Sequence, residues 1–195
     1  GVFWVHPPED EEGRVVAVTI KVLPTVTGDG ARTLEQLVLA DPRAVALHAT
    51  YRRERASRFL EIVPAGEVVT LTDVGTHARG CLFLDGEHLI TPELTRAVAA
   101  LTADYQGFHF GRFDLKAPSA EHLSRGEGLR VIELNGVTSE ETQIWDPSYG
   151  LLRAWGTQLR QWRTAFEVGR QCAARGAHVA SLTELLRELR AWRAR

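Results

Sequence analysis

Methionine, paired cysteines and long apolar runs are scarce or missing in this sequence. It has no methionine, and its two cysteines, Cys81 and Cys172, lie far apart and are outnumbered by five tryptophans. This usage favours buried free thiols in a reducing compartment over a disulfide framework. No apolar run approaches the roughly 18 residues that cross a bilayer, and the first residues lack a basic segment followed by an apolar one. We therefore expect a cytoplasmic location and no membrane partner.

A strong charge of either sign is also absent. The formal net charge is -2, although a quarter of the residues are charged, so the balance favours neither a nucleic-acid partner nor a membrane surface. No internal repeat or low-complexity segment is present. The 195 residues, 44% of them hydrophobic, suffice for one sizeable core or for two small lobes that share a seam. A globular protein that acts on small molecules is compatible with all of these features.

Segments rich in β-branched residues are interleaved with amphipathic segments, which predicts an α+β protein. Helix starts are indicated at Thr33, Asp41, Thr91, Asp146 and Ser181, each followed by apolar residues at helical spacing. Asp146 and Pro147 have the residue types of an N-cap and first helical position, and the stretch from Asp41 is expected to continue to about Leu60. Strands are predicted over residues 2–5, 14–23, 67–72, 81–84, 108–115 and 129–134.

The last 45 residues are basic and rich in tryptophan. Residues 151–195 hold nine arginines and three glutamates. Such a composition is compatible with a nucleic-acid surface. However, the large apolar side chains recur every three or four residues, so we expect them to form the buried stripe of a long helix and hence no nucleic-acid partner. These side chains are Leu151, Trp155, Leu159, Trp162 and Phe166.

Two short polar patterns lie on neighbouring predicted strands. Residues two apart in a strand point to the same side, so Arg112 shares a face with Asp114, and Glu133 shares a face with Asn135. The opposite faces carry Phe113 and Leu115 on one strand and Ile132 and Leu134 on the other, which we expect to be buried. If the two strands pair as antiparallel neighbours, the four polar groups converge on one face of the sheet.

Each of these patterns alone is weak, because exposed sheet faces often carry charges and an Arg-Asp pair is often a surface ion pair. Together they are more specific. Two carboxylates and an amide oxygen form the hard oxygen set that Mg²⁺ prefers, and a cation would relieve the repulsion between Asp114 and Glu133. Arg112 offers a planar fork of donors suited to a phosphate or a developing oxyanion. The combination favours phosphoryl transfer.

Gly111-Arg112-Phe113-Asp114, followed by Val131-Ile132-Glu133-Leu134-Asn135-Gly136, resembles the terminal signature of the ATP-grasp superfamily. The 19 residues that separate the two carboxylates fit this resemblance. Segments 26–30 and 33–37 resemble cyanophycin synthetase-like ATP-grasp ligases, and residues 138–147 resemble bacterial carboxylate-amine ligases. D-alanine-D-alanine ligase shares only the Arg-x-Asp and Glu-x-Asn core. The likeness covers most of the chain.

The resemblance implies an ADP-forming ligase that binds ATP and two Mg²⁺ ions, or Mn²⁺ in their place. Asp114 would hold one ion, Glu133 would bridge both, and Asn135 would complete the second, while Arg112 would grip the transferred phosphoryl group. The substrates would be a small carboxylate, activated as an acyl phosphate, and an amine. The implied fold is an antiparallel sheet flanked by helices, with residues 1–60 in the ATP-binding subdomain and 61–195 in the C-terminal subdomain. A homo-oligomer is left open.

Five further residues are candidates of lower specificity. Lys21 lies in a strand that the resemblance assigns to the ATP-binding subdomain, although a solvent-facing lysine is the simpler interpretation. Arg79, with His77 nearby, could face phosphate or substrate, or could belong to an ordinary surface loop. Ser139 and Glu140 directly follow the strand with the metal ligands and are candidates for substrate binding.

One part of the family pattern is absent: no Gly-rich loop with a lysine-bearing strand ahead of it, and no substrate domain, precedes Gly1. The first predicted strand also begins without any lead-in. We therefore expect the chain to be the C-terminal part of a longer ligase. The alternative is a degenerate relative, a nucleotide-binding or regulatory module that binds without catalysing. A purely structural interaction domain is a third interpretation.

Overall fold

The structure is a computed structural model that describes residues 1–193. Within them, strands and helices follow one another in a mixed order, which agrees with the predicted α+β class. The strands are β1 Val2–Val5, β2 Arg14–Val22, β3 Thr25–Thr27, β4 Val68–Thr70, β5 Leu82–Asp85, β6 Phe110–Lys116 and β7 Arg130–Asn135. The helices are α1 Leu34–Ala40, α2 His48–Glu54, α3 Pro92–Thr102, α4 Ala120–Arg125, α5 Leu151–Ala174 and α6 Leu182–Arg193.

Strand β1 is the middle strand of a five-stranded antiparallel sheet with the order β5-β2-β1-β6-β7. All four of its side chains are buried. Because successive side chains point to opposite faces, Val2 and Trp4 pack into one apolar cluster, and Phe3 and Val5 pack into another. Both faces of the sheet are therefore covered along β1.

Helix α3 covers the first face. Its Leu94 and Val98 pack with Trp4 of β1 and Phe113 of β6. Thr91 caps this helix as predicted, since its hydroxyl accepts a hydrogen bond of 3.0 Å from the backbone N–H of Leu94. Helix α4 lies nearby, inside residues 118–128, which were predicted only as a polar connection between two strands.

Helix α5 lies on the second face, where Val168 packs with Phe3 and Phe110. It begins at Leu151, with Gly150 as its N-cap, so the predicted start at Asp146 and Pro147 is wrong. The Asp146 carboxylate instead accepts hydrogen bonds from the backbone N–H groups of Asp85 and Ser148, both at 2.8 Å. These bonds fasten the loop before α5 to strand β5.

The apolar stripe of α5 is exposed, so the prediction that it is buried is wrong. Leu159 and Phe166 have exposed fractions of 74% and 76%. Three of the four buried residues of α5 are polar, namely Thr157, Gln161 and Gln171. The two glutamines form hydrogen bonds to the backbones of loops, and the polar side of the helix therefore faces the sheet. Helix α6 buries none of its side chains. No helix within residues 1–193 combines the length and apolarity needed to cross a membrane.

A third apolar cluster lies outside the main sheet. It is built from residues 26–71 and contains the two-stranded sheet of β3 and β4, with Leu34 of α1 and Tyr51 of α2. Thr33 caps α1, as the sequence predicts, and Gln36 completes a capping box with it. Residue 60, the predicted subdomain boundary, lies between Phe59 and Val63 of this cluster, whereas β1 and β2 belong to the main sheet. The division into two subdomains stays a prediction. Helix α2 ends at Glu54, short of the predicted Leu60.

Both cysteines are free thiols, as predicted. Cys81 is buried, and Cys172 of α5 is half-buried at the edge of the cluster around Phe3. Burial raises the pKa of the Cys81 thiol above its ordinary value.

Candidate functional site

The predicted polar residues meet across strands β6 and β7. The antiparallel register places Arg112 opposite Asn135 and Asp114 opposite Glu133. Directly opposed residues have their Cβ atoms about 5 Å apart and project to the same face. The register therefore brings together the four residues that the sequence singled out.

The other face of this strand pair differs from the prediction at one residue. Phe113 is fully buried, but Ile132 is 64% exposed, so the expected burial of Ile132 is wrong. The register shifts after Asp114, and Leu115 pairs with Val131 rather than with Ile132. Such a bulge leaves one residue without a partner and bends the strand, which here is an edge strand. Ile132 consequently leaves the core and lines a cavity beside Glu133.

Lys21 of β2 reaches the same face and contacts Asp114. Its Nζ donates a hydrogen bond of 3.0 Å to Asp114 Oδ2, and Arg112 Nε donates one of 2.9 Å to Asp114 Oδ1. The Lys21 side chain is only 25% exposed, so it is not a solvent-facing strand lysine. A Cβ at Gly1 would lie 3.1 Å from Arg112 Cδ and 3.3 Å from Asp114 Oδ1. The absent side chain at Gly1 therefore leaves room for the Arg112 and Asp114 side chains.

Two opposing effects act on the Asp114 carboxyl. Burial disfavours its charged form, but the hydrogen bonds from Lys21 and Arg112 outweigh burial and hold its pKa below the ordinary value. Asp114 is therefore ionised at neutral pH and already carries two cationic partners.

We expect Asp114→Asn to lower the free energy of unfolding at pH 7 by about 1.5–3 kcal/mol, the range for hydrogen bonds to charged groups. Because the folded state depresses this pKa, the stabilisation is fully present above the unfolded pKa of about 3.9 and is lost as the pH falls through the lower folded value. Urea denaturation at a series of pH values measures it. The difference between the two proteins should be constant from pH 7 to 5 and shrink below about pH 4; a gap that persists unchanged in acid would contradict the ion-pair interpretation.

Two of the three predicted metal ligands have polar atoms that are available to a hard cation. Among the described residues, no three histidine, cysteine, aspartate or glutamate side chains are grouped to hold a metal ion. The candidate set is instead two carboxylates and one amide. Glu133 is exposed and makes no ion pair within residues 1–193. The amide nitrogen of Asn135 is buried without a hydrogen-bond partner, and half a turn of the amide would put its oxygen there. Glu133 and Asn135 thus have unused polar atoms, whereas Asp114 is engaged.

A cavity of about 610 Å³ opens beside these residues. Lys21, Asp114 and Glu133 contribute its charged wall near the sheet. Ile20, Leu89, Leu115 and Leu123 are among its apolar residues. A mostly apolar pocket with a few convergent polar groups is typical of small-molecule sites, and this volume is within their usual range.

The loop after β7 is held by Gln161 of α5. Gln161 Oε1 accepts a hydrogen bond of 2.8 Å from the Glu141 N–H, and its Nε2 donates one of 2.9 Å to the Ser139 carbonyl. Ser139 is 8% exposed, and its hydroxyl donates to the Gly136 carbonyl at 2.6 Å. In this structure, Ser139 therefore closes a turn beside the site. Gln161 could not be selected from the sequence, because a glutamine inside an amphipathic helix has no distinctive pattern.

Trp145, which the sequence analysis missed, contacts both Glu140 and His77. The Arg112 guanidinium donates a hydrogen bond of 3.1 Å to the Glu140 carbonyl, and Trp145 Nε1 donates one of 3.0 Å to Glu140 Oε1. The His77 ring is 5.8 Å from that of Trp145 and 5.4 Å from that of Phe83. The Lys21 ammonium lies over the Phe83 ring. Glu140 thus contacts Arg112 of the charged centre directly, whereas His77 is linked to Lys21 only through Phe83.

Arg79 is directed elsewhere. Its guanidinium forms an ion pair with Glu54 of α2, and its carbonyl accepts a hydrogen bond of 3.0 Å from the Tyr51 hydroxyl. Both contacts tie the turn at residues 77–79 to the cluster around Tyr51. The structure does not bring Arg79 into contact with Asp114 or Glu133.

Comparisons with known proteins support the fold. No family model matches the sequence, and no curated protein matches it. Among solved structures, a bifunctional glutathione synthetase from Pasteurella multocida is similar, with a TM-score of 0.50 and 16% sequence identity. The match covers 83% of this chain and 23% of that enzyme, so the chain spans about a quarter of its length. At this identity the likeness is one of fold, and it supports an ATP-grasp-like fold for this chain.

Proposed function

We propose that the chain carries the nucleotide and metal site of an ADP-forming carboxylate-amine ligase. The observation that carries the proposal is the register of β6 and β7, which sets Arg112 and Asp114 opposite Asn135 and Glu133 beside a 610 Å³ cavity. The fold likeness to a glutathione synthetase is compatible with this function. The sequence resemblance to the ATP-grasp signature rests on the same four residues.

Glu133, Asn135 and Asp114 would hold two Mg²⁺ ions, or Mn²⁺, with ATP. When bound, the metal neutralises charge on the transferred phosphoryl group and orients it. Lys21 and Arg112 supply donors on the same face, and both now contact Asp114. In the nucleotide complex they would turn from Asp114 toward phosphate oxygens, which leaves that carboxylate free to act as a metal ligand. Glu133 needs no such rearrangement.

A nucleotide-binding module without ligase chemistry is the alternative. In this alternative, Lys21 and Arg112, which already form ion pairs with Asp114, would bind the nucleotide phosphates without phosphoryl transfer. The two functions differ in turnover. The alternative predicts Mg²⁺-dependent nucleotide binding and no ADP release with any pair of substrates.

An assay of ADP formation separates these functions. The full-length protein is incubated with ATP, Mg²⁺ and a panel of amino acids and dicarboxylates, each carboxylate alone and then with each amine. We expect ADP release that requires both substrates and that falls at least 100-fold in Asp114→Asn, in line with the loss of one preorganised charged group. Nucleotide binding without ADP release would favour the module, and wild-type turnover in Asp114→Asn would exclude the assigned metal site.

The other expectations are not tested by the structure and stay predictions. They are the absence of a nucleic-acid partner, the cytoplasmic location, the homo-oligomer that was left open, and the roles of His77, Arg79, Ser139 and Glu140 toward ligands. The tryptophans of α5 are exposed, so their expected burial no longer argues against a nucleic-acid partner.

A further inference from the structure

A second cavity lies next to Glu140, on the loop between β7 and α5. Its volume is about 490 Å³, which is large enough for a small organic molecule. Glu140 forms part of its wall and also contacts Arg112 through its carbonyl. The remaining wall is mainly apolar and comes from Ile144, Trp145, Pro147, Leu151, Ala154 and Trp155.

The charged groups of this cavity are all acidic. Glu140 and Asp146 are its only ionisable lining residues within the described part of the chain. Asp146 is engaged with backbone N–H groups and with the Ser148 hydroxyl. Glu140 accepts one hydrogen bond, from Trp145 Nε1, and has no cationic partner within residues 1–193. A half-buried carboxylate in an apolar cavity is stabilised by a cation, so an incoming cation would be attracted here.

We propose that this cavity binds an organic ammonium ion with an apolar or aromatic group. The ammonium contacts the Glu140 carboxylate and the face of Trp145, and the apolar group lies against Trp155. An ammonium near a tryptophan ring is attracted by the ring quadrupole, and the carboxylate adds a charge-assisted hydrogen bond. Resting on the proposed ligase function, this assignment makes the cavity the site of the amine substrate.

The location of Glu140 supports this assignment. Arg112 Nη1 donates a hydrogen bond of 3.1 Å to the Glu140 carbonyl oxygen. The carboxylate that binds the ammonium therefore belongs to a residue in contact with the guanidinium of the phosphoryl site. Gln161 holds the residues on either side of Glu140 by their backbones. The loop therefore holds Glu140 in the wall of the second cavity and in contact with Arg112.

Binding of 2-phenylethylamine and of the neutral isostere 2-phenylethanol tests the proposal by isothermal titration calorimetry. We expect the amine to bind at least about tenfold more tightly than the alcohol, because only the amine forms the charged contact. Glu140→Gln keeps an acceptor for Trp145, so it should remove this preference without affecting the alcohol. Trp155→Ala should weaken both ligands by a similar factor. Equal affinities in the wild type, or no saturable binding of the amine, would overturn the proposal.

A second titration, with ADP and Mg²⁺, distinguishes failure of this assignment from failure of the ligase function. Binding of Mg²⁺-ADP without amine binding would reject the ammonium site and leave the proposed function in place. Amine binding that requires Glu140, without nucleotide binding, would keep the ammonium site and reject its connection to a ligase. Glu12→Gln is the matched control, since Glu12 is exposed and makes no ion pair in the described residues. It should leave both titrations unchanged.

Discussion

Glu133→Gln is expected to abolish the Mg²⁺-dependent stabilisation of the protein by ADP. In the wild type, ADP and Mg²⁺ at about 100 times the dissociation constant should add roughly 2.7 kcal/mol to the free energy of unfolding. For a chain of this size, that corresponds to a rise of about 5–10 °C in Tm. The variant lacks the one carboxylate of the site that is exposed and unpaired in the described structure, so the metal loses a charged ligand. A thermal-shift titration with and without Mg²⁺ measures the difference.

The control for this experiment is again Glu12→Gln, which removes the same charge far from the site. Both variants should unfold near the wild-type temperature without ligand, because Glu12 and Glu133 are both exposed. A full Mg²⁺-dependent shift in Glu133→Gln would show that the nucleotide does not use this residue. A shift that is lost equally in both variants would indicate a nonspecific charge effect.

Phe113→Ala should destabilise the fold by about 3–5 kcal/mol, as large-to-small substitutions of buried phenylalanine do. Phe113 is fully buried between the sheet and α3, and its ring lies 5.3 Å from that of Phe108. The surrounding side chains come from several elements and cannot all collapse into the space that the ring leaves. Urea denaturation monitored by circular dichroism gives the loss directly.

Ile132→Ala is the matched comparison on the neighbouring strand. The alternation of residues predicts that Ile132 and Phe113 share the buried face, yet Ile132 is 64% exposed in the structure. We therefore expect Ile132→Ala to change stability by no more than about 0.5 kcal/mol, the usual range for surface positions. A loss comparable to that of Phe113→Ala would mean that Ile132 is buried and that β7 pairs with β6 without the bulge.

Short sequence patterns predicted strands and helix caps correctly where these depend only on residues close together in the chain. The β-branched runs at 2–5 and 14–22 form the strands they predict, and Thr33 and Thr91 form the caps expected of them. Capping depends on hydrogen bonds within a few residues, so the sequence contains all of the information needed. The start of α5 was misplaced for the opposite reason. Asp146 had the residue type of a cap, but its carboxylate bonds to strand β5, more than 60 residues away in the chain.

The site was predicted in part. The shared faces of Arg112 with Asp114 and of Glu133 with Asn135 follow from the two-residue period of a strand. The contacts that other strands make with Asp114 do not follow from this period. Lys21 reaches Asp114 only because the sheet order sets β2 and β6 on either side of β1. Trp145 and Gln161 were missed, since their roles arise from contacts with a loop that no short pattern describes.

The sequence by itself determined the alternation of strands and amphipathic helices, the local caps and the pairing of polar residues on two strands, because each depends on neighbours within a few positions. The tertiary structure alone decided which faces are covered. It turned the polar side of α5, with Gln161 and Gln171, toward the sheet and left the apolar stripe exposed. It also moved Ile132 out of the core by a bulge and brought Lys21 to Asp114. Periodicity defines the two sides of a strand or helix, but only packing against distant elements selects the side that is buried.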